Sequence, residues 1–337
     1  MTDANPVLVE RTRGGFVESV HRGAYAVVAP SGAVEDAAGD VARPILPRSS
    51  IKLLQALPLV ESGAADARGL DDRRLALACA SHQGSRAHAA AVAAWLAALG
   101  LSEADLLCGP QVSSDAETRA AMRAAGEAPT QLHNNCSGKH AGFITLALHL
   151  GAPVEGYVAV DHRAQRAAAE AFAEATGAEP PLAWAVDGCS APNFAASLLG
   201  VAHAFAKVAR PQEGFSGVRA AAAERLRTAM ARHPFEVAGR GRACTELNEA
   251  AEGRAVVKTG AEGCFTAALP ARGLGIALKI DDGDTAAAEC AMAALLVRYG
   301  VVAPDDPRVA RRLAPEIRNR RDIQTGVRRA ADSLTSA

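Results

Sequence analysis

No charge of one sign dominates this sequence: 36 lysines and arginines stand against 37 aspartates and glutamates, a formal net charge of -1. So balanced a surface offers no footprint for nucleic acid or an anionic membrane, and neither is expected as a partner. Long apolar runs are missing as well. The longest alanine-rich stretch, Ala89 to Leu99, is too short and too weakly apolar to span a bilayer. Met1 to Pro6 are polar and lead straight into Val7-Leu8-Val9, without the basic start, apolar stretch and small-residue cleavage site of a secretory signal. The cysteines, Cys79, Cys108, Cys136, Cys189, Cys244, Cys264 and Cys290, are odd in number and scattered, with no C-x-x-C pair. That argues against a disulfide framework or a zinc ribbon. A cytoplasmic location is expected.

What is present is an ordinary globular composition, 49% hydrophobic and 22% charged over 337 residues, enough for one large domain or two closely packed ones. Both ends read as sheet. Val7 to Thr12 and Phe16 to Val28 are extended runs joined by Gly14-Gly15, and Ala255 to Lys258, Cys264 to Leu269 and Leu274 to Ile280 form a meander divided by glycine-rich turns. Between them lie helical patterns: Asp72 to Ala80, Ala87 to Leu99, Ala116 to Ala125, Gly142 to Leu150, Ala164 to Ala175, Phe194 to Val208 and Val218 to Arg232. Thr285 to Tyr299 is another, ended by Gly300. The expected architecture is α+β, one antiparallel sheet drawn from both chain ends (1–46 and 251–337) with a helical part (47–250) inserted, all in one catalytic unit. Arg320 to Ala337 is polar and is expected to fray after a last short strand.

Several segments carry chemistry. Pro47 opens, and Pro58 is expected to close, a short helix that sets Ser49 and Lys52 on one face of its first turn. A lysine takes a proton from serine only as the neutral amine, which requires burial and a second cation. Ser81, in Ala80-Ser81-His82-Gln83-Gly84, ends an apolar helix, where polar groups often face a cleft. Lys258, in Val256-Val257-Lys258-Thr259-Gly260, closes an apolar strand and could supply that second cation. His133-Asn134-Asn135-Cys136-Ser137-Gly138-Lys139-His140 is a polar and thiol-bearing run of a density that packing alone does not require. Val186-Asp187-Gly188-Cys189 is a similar turn, and two cysteines in polar turns suit a soft metal or a reactive pair.

The order S-x-x-K, serine motif, K-T-G is that of serine β-lactamases and penicillin-binding proteins, although Ser81-His82-Gln83 departs from their S-x-N motif. Over Val7 to Arg328 the chain more closely resembles the asparaginase II family. The segments that carry this are Val17 to Gly23, Pro47 to Lys52, Cys79 to His82, His133 to His140, Val186 to Pro192 and Lys258 to Gly263. The resemblance implies a serine β-lactamase-like fold, a homodimer, and hydrolysis of L-asparagine to aspartate and ammonia. It further implies two serine–lysine tandems, Ser49 with Lys52 and Ser81 with Lys258, and a zinc ion (Zn2+) held by Cys136, Lys139 and Cys189. Arg48, His140, Asp187 and Cys244 match its other site residues, those expected to bind substrate. Two other classes use the same residues: a β-lactam or peptide serine acylase, and a non-catalytic zinc or amino-acid-binding protein.

Overall fold

The computed structural model describes residues 5–335, which cluster into two compact units. The first comprises the described parts of Met1–Ile51, Ala196–Gly214 and Glu246–Ala337. Its frame is an eight-stranded antiparallel sheet, in the order Glu316–Arg318, Gln324–Ala330, Val7–Arg13, Phe16–Val28, Leu274–Ile280, Cys264–Leu269 and Val256–Thr259, with Val34–Ala38 also pairing along Phe16–Val28. Strands from both chain ends thus share one sheet, as the sequence pattern predicts. Gly14 takes φ 56 at the turn into the second strand, a conformation open to glycine without a side-chain clash.

The three C-terminal strands of the meander are buried almost throughout rather than on alternate residues, so the sheet is covered on both faces there. Leu198–Ala209 and Thr285–Arg298 both pack against it. Gly275 permits the first of these approaches, because a Cβ at that position would collide with the backbone of Ala202 and Ala206.

Two expectations for this unit need correction. The helix expected over Phe194 to Val208 begins only at Leu198: Pro192–Phe194 and Ala196–Ser197 are extended, and Ser197 caps the helix by accepting from the Gly200 amide at 3.0 Å. This helix belongs with the sheet, not with the helical part. The C-terminal stretch supplies the expected last strand, Gln324–Ala330, which pairs with Val7–Arg13 in the register Val9 to Ala330, but it does not fray directly after it, because Asp332–Thr335 is helical. Residues 336–337 lie outside the described residues.

The second unit, Lys52–Ala195 with Phe215–Thr245, is helical. Lys52–Glu61 is its centre, buried over eight consecutive residues and packed against Ser137–His149, Arg163–Thr176 and Gly217–Arg232. Pro58 does not close this helix but sits inside it. A proline there removes one backbone hydrogen bond, a loss offset by burial of Leu53, Leu54, Leu57 and Leu59. The helix expected from Gly142 starts five residues earlier, at Ser137, so half of the polar run is its first turn. Gly138 allows this, since a Cβ would strike the Leu77 carbonyl of Asp72–Ala78. Among the described residues, no helix is long and apolar enough to cross a membrane.

Candidate active site

In the first unit, Arg48–Ile51 form a 3-10 turn that Arg48 enters in the left-handed region, at φ 54. The turn is fixed to the strand bearing Lys258. Buried Ser50 donates to the Pro47 carbonyl at 2.7 Å, while the Thr266 hydroxyl reaches the carbonyls of both Ser50, at 2.9 Å, and Lys258, at 3.3 Å. Gly260 closes the junction, because a Cβ there would stand 2.7 Å from the Pro47 oxygen and 3.0 Å from the Ser50 nitrogen. The glycine of the Lys258-Thr259-Gly260 motif is therefore what lets the serine-bearing turn lie on the strand. Ser49 is half-buried at this junction, and Lys258 is wholly buried, donating to the Thr259 carbonyl at 2.7 Å. Arg48 faces Glu262 at 4.0 Å.

In the second unit, Lys52 is also wholly buried. Its amine lies within hydrogen-bond reach of the Ala80 carbonyl, of Ser81 Oγ at 3.1 Å and of Cys136 Sγ at 3.1 Å. Backbone bonds on both sides set the position of Ser81: Ser81 and Gln83 donate to the carbonyls of Val237 and Ala238, each at 2.9 Å, and His82 donates to that of Asn135 at 3.2 Å. The His82 ring accepts from the Gly84 amide at Nδ1, which leaves Nε2 to donate to Ser137 Oγ at 3.0 Å. One stretch thereby ties Ser81 to the segment that carries Cys136.

Cys136 follows Asn134, whose side chain accepts from the Cys136 amide at 2.8 Å and donates to the carbonyls of Cys108 and Gly109. Cys189 sits on the turn between Trp184–Val186 and Pro192–Phe194, and Lys139 Nζ donates to its sulfur at 3.1 Å. A hydrogen bond from Cys136, aided by Lys139, holds the Cys189 thiol well below its ordinary range, while that same bond and burial push Cys136 up. Burial acts against charge on Lys139, but the sulfurs of Cys189 and Cys136 outweigh it and raise its pKa.

Cys136, Lys139 and Cys189 thus lie in one neighbourhood. Two sulfurs, one already disposed to be a thiolate, and a lysine nitrogen that a metal would have to strip of its proton form a donor set that fits zinc. Among the described residues, no group of three or more His, Cys, Asp or Glu side chains gathers as a metal site, and this set depends on its lysine.

His140, one residue on, is buried, with Nδ1 2.6 Å from the Tyr157 hydroxyl. Asp187 is half-buried on the Cys189 turn and caps it by accepting from the Gly188 amide at 2.6 Å. Cys244 is buried in the first turn of Ala243–Ala251. Two features escaped the sequence reading. Nothing in the spacing of Lys52 and Cys136, 84 residues apart, announces their contact. Tyr157 lies in a segment without any motif.

A buried lysine within hydrogen-bond reach of a serine is the equipment of hydrolases that work through a nucleophilic hydroxyl. The model of the L-asparaginase II family matches residues 9–330, and the chain belongs to that family, whose members are amidohydrolases of the asparaginase type. Comparison with curated proteins found no match. Two solved structures are similar to the chain. One is a β-lactamase from Mycobacterium bovis, with 15% identity, a TM-score of 0.40, and 79% of this chain and 89% of the other covered. The second is a candidate β-lactamase from Bacteroides dorei, with 12% identity, a TM-score of 0.40, and 77% and 84% covered.

Proposed function

We propose that this protein hydrolyses L-asparagine to L-aspartate and ammonia through a serine activated by lysine. The observation that carries the reading is the bond between buried Lys52 and Ser81 Oγ at 3.1 Å, in a chain of the L-asparaginase II family. In this mechanism the neutral amine of Lys52 takes the proton of Ser49 as its oxygen attacks the side-chain amide. Lys52 then passes a proton to Ser81, and Ser81 gives its own to the departing nitrogen, which leaves as ammonia. The aspartyl ester on Ser49 is hydrolysed by water along the reverse proton route. Lys258 is the second lysine of the machinery, and Arg48, His140, Asp187 and Cys244 are assigned to substrate binding.

Cys136, Lys139 and Cys189 are the residues that would hold zinc, which would orient the polar end of the substrate as a Lewis acid. The protein would act in the cytoplasm as a homodimer. The test of the reading is ammonia release from L-asparagine by the purified protein. Release supports the assignment, and its absence on asparagine removes it.

A further inference from the structure

We infer that Tyr157 is a positioning residue: its hydroxyl fixes the ring of His140 in the tautomer that carries its proton on Nε2, and aims that N–H at an anionic oxygen of the substrate. The inference rests on the amidohydrolase reading for the ligand, but not for the tautomer.

The tautomer follows from counting partners. The Tyr157 side chain is wholly buried, and among the described residues its hydroxyl has two neighbours: the Leu107 amide, which donates to it at 2.9 Å, and His140 Nδ1 at 2.6 Å. An amide nitrogen cannot accept, so the phenol's own hydrogen has Nδ1 as its acceptor. With Nδ1 accepting, the proton of a neutral imidazole must sit on Nε2.

The geometry is held from several sides. The two rings meet edge to face, with centroids 5.4 Å apart and planes at 77°, and the Tyr157 carbonyl accepts from Gln165 at 2.9 Å. The tyrosine therefore has little freedom to turn away.

The consequence lies at the other nitrogen. His140 Nε2 is buried without a hydrogen-bond partner among the described residues. Buried donors are almost always paired, and those left open in a native site call for a ligand. His140 follows Lys139 on the first turn of Ser137–His149, and Lys139 bonds Cys189, so the open N–H belongs to the neighbourhood of the cysteine–lysine cluster. A fixed N–H suits an oxygen that bears negative charge, as a carboxylate does.

The experiment uses the full chain labelled with 15N-histidine. Long-range proton–nitrogen correlation reads which ring nitrogen of His140 is protonated, and the resonance is assigned with His140→Gln. Expected are a single tautomer with the proton on Nε2 and a shift of that N–H when L-aspartate is added. In Tyr157→Phe, KM for asparagine should rise about tenfold while kcat stays within about threefold, because a ground-state contact is loosened. A proton on Nδ1 in the wild type, an Nε2–H indifferent to L-aspartate, or an unchanged KM in Tyr157→Phe each overturns the inference. If Tyr157→Phe does not fold, the two wild-type spectra decide. Failure of the amidohydrolase reading shows separately, as no ammonia from the wild type with the tautomer intact.

Discussion

Lys52 Nζ stands 3.1 Å from Ser81 Oγ, and the same amine bonds Cys136 at the same distance, so one buried lysine joins the serine motif to the cysteine pair. Its substitution should therefore affect both. Lys52→Met, Ser49→Ala, Ser81→Ala and Lys258→Met are each expected to lower kcat by at least about 10³-fold, since residues acting as a unit fail together. A Ser49→Ala, Ser81→Ala double variant should be no worse than the poorer single one. Steady-state kinetics checks this, and near wild-type turnover in any single variant removes that residue from the mechanism.

Zinc is expected at about one ion per chain in protein purified without chelator, by elemental analysis. Its removal should raise KM more than it lowers kcat, because the serines already supply the nucleophile and the ion is assigned to orienting substrate. Cys189→Ser should lose the metal. Protein free of zinc, with kinetics indifferent to added zinc, contradicts this.

Gly260→Ala is expected to destabilise the protein by about 1–3 kcal/mol, because the added methyl would stand 2.7 Å from the Pro47 oxygen. Activity should suffer more than stability. Displacing the turn that holds Ser49 by a fraction of an ångström can cost on the order of 10²-fold in kcat. Denaturant unfolding and kinetics on one preparation separate the two effects, and unchanged kcat would show that Ser49 does not depend on this junction.

Stability should fall as pH drops from about 7 to 5. Burial lowers the folded pKa of His82, with His88, Lys52, His133 and Arg242 adding to the shift, and burial lowers that of His88 despite the Phe235 carbonyl, Glu236 and Asp115. The unfolded chain then binds more protons than the folded one below about pH 6.5, so the stability these rings contribute is complete above that value and is lost as pH falls toward their folded pKa values. Thermal unfolding across this window checks the slope, and His88→Gln should flatten it. A midpoint that rises on acidification contradicts the assignment.

Much of the fold is legible in the sequence because hydrophobic period and turn residues act locally. Phe16–Val28, Cys264–Leu269 and Leu274–Ile280 fall where extended runs and glycine turns place them. Pro58 misleads because its penalty is local while the burial that outweighs it is tertiary. Leu198–Ala209 is a helix in the pattern, but that it lies on the sheet follows from Gly275, 70 residues further on. The site is legible where motifs are dense, in the segments holding Ser49, Ser81, Cys136 and Lys258. It is silent at Tyr157, a lone buried aromatic whose significance appears only once His140 is placed beside it.

Ammonia release measured in parallel on L-asparagine and L-glutamine separates an asparaginase from a less selective amidase. Glutamine's extra methylene moves the scissile amide away from a fixed nucleophile, so kcat/KM should favour asparagine by at least about 10²-fold. Comparable rates on the two amides, or no ammonia from either, would contradict the account.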